Sequence, residues 1–189
     1  VLLGAAVATF FSGSNFVVSK GNITQETMPV ISQWANGWHG LDALLDLWNV
    51  VLGLAVLFLS RCLGILYFIN NVSDAELLPR FRRRLMVEAV CFVAFFVPFV
   101  IYVLLKDGFA VDAASGSIVM ESYKYFHNLM AMPWVLGLFL LGVVAVLFGL
   151  GRSILCATYN KGIWFAGVGT VLAVLALLLT VGYNNTAYY

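Results

Sequence analysis

The sequence predicts an all-α integral membrane protein, a four-helix transmembrane bundle preceded by the end of another helix. Three observations carry this reading. The 189-residue chain is 62% hydrophobic and 10% charged, whereas a soluble domain carries roughly 25% charged residues to cover its water-facing surface. Four apolar runs are long enough to supply the ~20 helical residues that cross the hydrocarbon core. Four of the ten Lys and Arg residues, at Arg80, Arg82, Arg83 and Arg84, gather between two of those runs. The net charge of +1 argues against a nucleic-acid partner, which calls for a basic face.

The elements follow in order. Val1 to Phe11 is apolar and gives way to polar residues at Ser12. Eleven residues cannot span a bilayer, so residues 1–17 read as the end of a truncated helix in a longer protein. Residues 18–41 form a polar, aromatic linker with room for a short surface helix around Thr24, Glu26 and Pro29. Trp34 and Trp38 flank Asn36 and Gly37 there, as residues that anchor at the headgroup level. Residues 42–189 hold the four-helix bundle. Leu41 to Asn70 is the first complete span, apolar from Leu47 to Leu59 and broken at Arg61; it is longer than the bilayer is thick, so it tilts or extends.

Asn71 to Arg84 is a basic hairpin in which Asp74 and Glu76 precede Pro79, a pattern suited to the first turn of a helix. Leu85 to Leu105 is the second span. Pro98 inside it removes one backbone bond, which neighbouring helices can tolerate. In the linker from Lys106 to Asn128, Lys106 to Gly108 ends the helix and Asp112 to Gly116 turns between short extended pieces. Leu129 to Leu150 is the third span, entered through Pro133 and Trp134. Its Gly142 and Gly149 share one face, where small residues let helix backbones approach. Gly151 to Lys161 is a loop, Gly162 to Tyr183 the fourth span with Trp164 at its start, and Asn184 to Tyr189 a polar, aromatic end.

Arginine and lysine concentrate in cytoplasmic loops. The hairpin side holds Arg80, Arg82, Arg83, Arg84, Arg152 and Lys161, and the other side Lys20, Lys106 and Lys124. Six against three places the basic loop 71–84 in the cytoplasm and the C-terminus outside the membrane, in the periplasm for a bacterial inner-membrane protein.

Ionisable groups at membrane depth are costly and invite a function. Arg61 and Glu88, counted from the turn between their helices, sit at similar depth and are candidates for an intramembrane ion pair; Arg84, one turn before Glu88, competes for it. A polar step on a proton route is the functional alternative. Asp42 and Asp46, four apart, would share a helix face near the outer surface, where a carboxylate pair could pass protons, bind a cation or meet a partner. The ordinary reading, acids at a solvated helix start, is preferred. Trp34, Trp38, Trp134 and Trp164 read as membrane anchors, and Trp48 could also face a partner subunit. His39 and His127 lie outside the spans, so neither is assigned as a haem ligand, and their separation gives no metal spacing. Cys62, Cys91 and Cys156 fit no metal or disulfide spacing. No phosphate loop, nucleotide fingerprint or nucleophile elbow occurs. No catalytic, cofactor-binding or metal residue is therefore assigned.

Residues 28–36 (MPVISQWAN), 106–112 (KDGFAVD), 123–129 (YKYFHNL), 161–171 (KGIWFAGVGTV) and 182–189 (GYNNTAYY) together resemble subunit II of the bacterial cytochrome bd quinol oxidase, in a version similar to that of Bacteroides-type bacteria. The resemblance covers almost the whole chain. It implies two related four-helix bundles, of which this chain holds the end of the first and all of the second. It also implies a complex that oxidises quinol and reduces oxygen to water. Two b-type haems, one d-type haem and the quinol site are then expected in subunit I, with no cofactor in this chain. The implied partner is subunit I; the apolar spans add the lipid bilayer, and a small accessory subunit is left open. Half of a secondary transporter is the competing reading. The nearly charge-free span centres weaken it, because transporters place polar groups at the midplane. A purely structural membrane scaffold is the third.

Overall fold

The computed structural model describes residues 1–19, 31–112, 116–182 and 186. Four helices are long and apolar enough to cross a membrane: α2 (Leu47–Asn71), α3 (Leu77–Leu105), α5 (Pro133–Leu155) and α6 (Gly162–Gly182). They form two antiparallel hairpins, α2 with α3 and α5 with α6. A shorter helix, α1 (Leu2–Ser12), lies against α2. Strands β1 (Phe16–Ser19) and β2 (Ile31–Trp34), strands β3 (Gly108–Val111) and β4 (Ile118–Glu121), and the short helix α4 (Lys124–Ala131) cover one end. The opposite end carries the arginines and is called the basic end.

α1 reaches α2 through glycine. A Cβ on Gly4 would stand 2.8 Å from the Gly53 Cα, and one on Gly53 would stand 2.7 Å from the Val1 carbonyl oxygen. α1 stops at Ser12, and β1 then pairs antiparallel with β2, Phe16 opposite Trp34. The described flanks of the 18–41 linker thus form a ribbon. Thr24, Glu26 and Pro29 lie outside the described residues.

The first span begins later than expected. Leu41–Leu45 is a 3-10 helix, the chain extends at Asp46, and α2 starts at Leu47. The cause is a cap: the Asp46 carboxylate accepts the backbone N–H groups of Trp48 at 2.7 Å and Asn49 at 3.4 Å, satisfying donors that a helix start leaves orphaned. At the other end of the hairpin, Asp74 accepts from the N–H groups of Glu76 and Leu77 at the start of α3. α3 continues through Pro98 for 29 residues, about 43 Å at the helical rise. That is longer than ~30 Å of hydrocarbon, so its first two turns, with Arg80 to Arg84, reach past the apolar zone.

β3 and β4 form the small hairpin anticipated around Asp112, with residues 113–115 outside the described set. α4 was not anticipated. It ends at Met132 because Pro133 offers no N–H and disfavours a helical residue before it; Pro133 instead opens α5. α5 also runs five residues past Leu150, so the loop begins at Cys156 rather than Gly151. Of the polar C-terminal end, Thr186 is described, bridged to Ala110.

The seams of the two hairpins differ. A Cβ on Gly142 would lie 2.6 Å from the Ala173 nitrogen, and one on Gly149 would lie 2.6 Å from the Gly162 carbonyl oxygen. α5 and α6 therefore touch backbone to backbone. Between α2 and α3 the rings of Phe58 and Phe95 stack at 5.7 Å, those of Phe68 and Phe81 at 5.7 Å, and those of Trp48 and Tyr102 at 4.2 Å.

Candidate functional site

Polar chemistry concentrates at two places, the α2–α3 seam near the basic end and the pocket where α1 meets α2 at the other end. In the seam, Glu88 is 1% exposed. Its Oε1 stands 2.7 Å from Nη2 of Arg61 and 2.7 Å from Nε of Arg84. The two arginines expected to compete for Glu88 thus hold it together, one from α2 and one from its own helix. Both guanidinium side chains are half exposed, so the charge at the centre is buried and the counter-charges reach outward. Glu88 Oε2 is buried without a hydrogen-bond partner among the described residues.

Arg82 does a different job that the sequence did not reveal. Its Nη1 donates to the carbonyl oxygens of Ser153 and Cys156, the latter at 2.9 Å. Its Nη2 donates to those of Ala157 at 2.8 Å and Tyr159 at 3.0 Å. One guanidinium therefore closes the C-terminal end of α5, where carbonyls are orphaned and the helix dipole is negative. A fork of planar donors suits this, and a lysine would not replace it. Read by sequence, Arg82 is only one of four similar charges; nothing local distinguishes it from Arg80 or Arg83.

At the opposite end a pocket of about 280 Å³ is lined by Ser12, Asn15, Asp42, Asp46 and Asn49 among others. Asp42 and Asp46 do not share a helix face, because one lies in the 3-10 helix and the other caps α2. They meet as two walls of this pocket. Asn15 and Asn36 donate to Asp42 Oδ2, and these bonds hold its carboxyl below the ordinary carboxylate range. Ser12 donates to Asn49 Oδ1 at 2.8 Å, and Asn49 donates to the Ala43 carbonyl at 2.9 Å. Lys106 Nζ donates to the Phe11 carbonyl at 2.6 Å, tying the end of α3 to the end of α1, and burial pushes its pKa down.

Trp38, Trp134 and Trp164 are exposed near helix or loop ends. Trp34 is exposed too, yet its ring lies against Gly40, where a Cβ would approach it to 2.9 Å. The φ of +91° at Gly40 suits glycine in any case. Trp48 is half-buried and stacked on Tyr102, so it has a partner within the chain. His127 Nδ1 lies 2.9 Å from Glu121, whose carboxyl is held low by His127 and Lys124. His39 sits in a turn at positive φ.

Between α3 and the α5–α6 pair lies a cavity of about 230 Å³ lined by Phe92, Phe96, Val97, Phe139, Val146 and Leu177 among others. Its only polar lining residue is Thr170, whose hydroxyl donates to the Ala166 carbonyl. The described residues do not fit a haem. The apolar cavity has no axial ligand, and His127 stands at the surface, half exposed and engaged with Glu121. Among the described residues no group of three or more His, Cys, Asp or Glu could hold a metal ion.

The comparisons with known proteins give one family and no curated relative. No curated protein matches the chain. The sequence model of the cytochrome bd terminal oxidase subunit II family matches residues 1–189. The chain belongs to that family and is therefore a membrane subunit of an oxidoreductase complex that contains haem and a subunit I.

Proposed function

We propose that this chain is the haem-free partner in a complex that oxidises quinol and reduces oxygen to water, and that it supports the assembly and stability of the haem-bearing subunit I. The observation that carries this is where its charges go. Glu88, buried at span depth, is held by Arg61 and by Arg84 from the edge of the apolar zone. The cavity between the hairpins is apolar and offers no ligand for a cofactor. Such a chain contributes shape and rigidity to a complex, not reacting atoms. On this reading two b-type haems, one d-type haem and the quinol site belong to subunit I.

Orientation belongs to the same proposal: a bacterial inner membrane, with loop 71–84 in the cytoplasm and the C-terminus outside. Arg80, Arg82, Arg83, Arg84, Arg152 and Lys161 all lie at the basic end, which supports it. A membrane-impermeant thiol reagent should fail to label a cysteine introduced at Arg83 in intact cells; labelling from outside would reverse the map.

The assembly role is tested by purifying the complex with and without an intact α5–α6 seam and recording its visible spectrum. Haem bands and quinol-driven oxygen consumption should co-purify with the unaltered chain and disappear together when the seam is opened. A fully haem-loaded, active subunit I isolated without this chain would refute the proposal.

A further inference from the structure

We propose that Arg61 and Arg84 grip the phosphate of an anionic phospholipid in the leaflet at the basic end. Glu88 is a buried fulcrum for both: one oxygen, Oε1, stands 2.7 Å from each guanidinium. Arg84 meets it through Nε and Arg61 through Nη2, and among the described residues neither guanidinium has a second ion-pair partner. The side chains are 46% and 57% exposed. Two positive charges against one negative leave the cluster net cationic. Its unused donors have the planar arrangement that binds phosphate oxygens in pairs.

The surroundings have room for a headgroup and its chains. Gly64 follows Arg61 by one turn toward the basic end, and a Cβ there would meet nothing within 4 Å. Tyr67 and Phe68, one turn further along α2, are exposed, as is Val87 on α3. Depth agrees as well. Arg84 ends the basic run, and Glu88 lies one turn, about 6 Å, deeper. Arg84 already stands at that edge, and Arg61 can reach outward to phosphate level while its stem stays in the apolar zone. Exposed Arg80 and Arg83 on the same helix add long-range attraction for an anionic surface. An acidic side chain of a partner protein could satisfy the same guanidiniums. It would have to be buried among exposed apolar residues at a cost, whereas lipid phosphates already stand at that level.

The inference rests on the membrane reading of the four helices, not on the assembly role. It is tested on the whole oxidase complex in mild detergent, by native mass spectrometry after exchange with equal amounts of phosphatidylglycerol and phosphatidylcholine. The wild-type complex should retain phosphatidylglycerol in preference, by roughly 5-fold for each arginine. Arg61→Gln and Arg84→Gln should each reduce the preference, and Arg83→Gln should leave most of it. Equal retention of the two lipids by the wild type would overturn the proposal even if the variants fail to assemble. So would loss of the preference in competition with millimolar inorganic phosphate, which would show a free-phosphate site instead. Variants that lose subunit I while keeping the lipid preference would point to a protein partner and overturn it too.

Discussion

The α2–α3 and α5–α6 hairpins solve one problem in two ways. Lipid tails are as apolar as leucine, so helices in a membrane associate through close packing and polar contacts rather than by the hydrophobic effect. α5 and α6 use closeness: Gly142, Gly149, Gly162 and Gly169 bring backbones into contact. α2 and α3 use side chains, with stacked rings along the seam and a buried carboxylate shared by two arginines. The α5–α6 seam is the more sensitive to added volume, and the α2–α3 seam is the one that a missing charge weakens. Arg82 links the two, reaching from α3 to the carbonyls at the end of α5.

The sharpest way to break the comparison is to add volume to the glycine seam. Gly149→Val puts atoms where the Gly162 carbonyl oxygen would be 2.6 Å away, and backbone cannot yield as a side chain does. A loss of about 3 kcal/mol or more is expected, seen as failure of the complex to survive size-exclusion chromatography. The same Val at Gly64, with open space around its Cβ, should be tolerated. If both variants behave alike, close approach is not what holds α5 to α6.

Removing charge from the other seam comes next. Glu88→Gln leaves Arg61 and Arg84 without their counter-charge. The cost should be about 2 kcal/mol, below the usual figure for a broken buried pair because both guanidiniums are half exposed. A thermal-stability series on the complex would read it, and an unchanged midpoint would mean the pair is not holding α2 to α3. Arg82→Ala should cost about 1–2 kcal/mol by exposing the α5 carbonyls, and Arg82→Lys should recover only part of that.

The smallest effect is at the far end. Asn15 and Asn36 lower the Asp42 pKa in the folded state, so their contribution is present above the unfolded value, near pH 4, and is lost as pH falls through the folded value. Asp42→Asn should remove that component, so that stability at neutral pH falls slightly, toward the level the unaltered protein reaches in acid, and the dependence on pH flattens. Hydrogen exchange of β1 and β2 between about pH 5 and pH 3 would report it; identical acid profiles for the two proteins would assign the sensitivity elsewhere.

Composition and the lengths of the apolar runs decided that this chain belongs in a membrane, that four of its described helices are long enough to cross one, and which end is basic, because a bilayer demands long apolar helices and leaves few alternatives. Counting residues from the α2–α3 turn also put Arg61 and Glu88 at similar depth. Helix ends were less legible: α2 begins at Leu47 because the Asp46 side chain turns back to cap it, α5 outlasts Leu150, and α4 stands apart because of Pro133. What only the tertiary structure decided is which side chain meets which. One arginine of a run of similar ones seals α5, two others share a single oxygen of Glu88, and Asp42 and Asp46 meet across a pocket rather than along a helix. Membrane insertion is a sum over many residues and survives in the sequence. A contact depends on the register and rotation of two helices, which no single segment encodes.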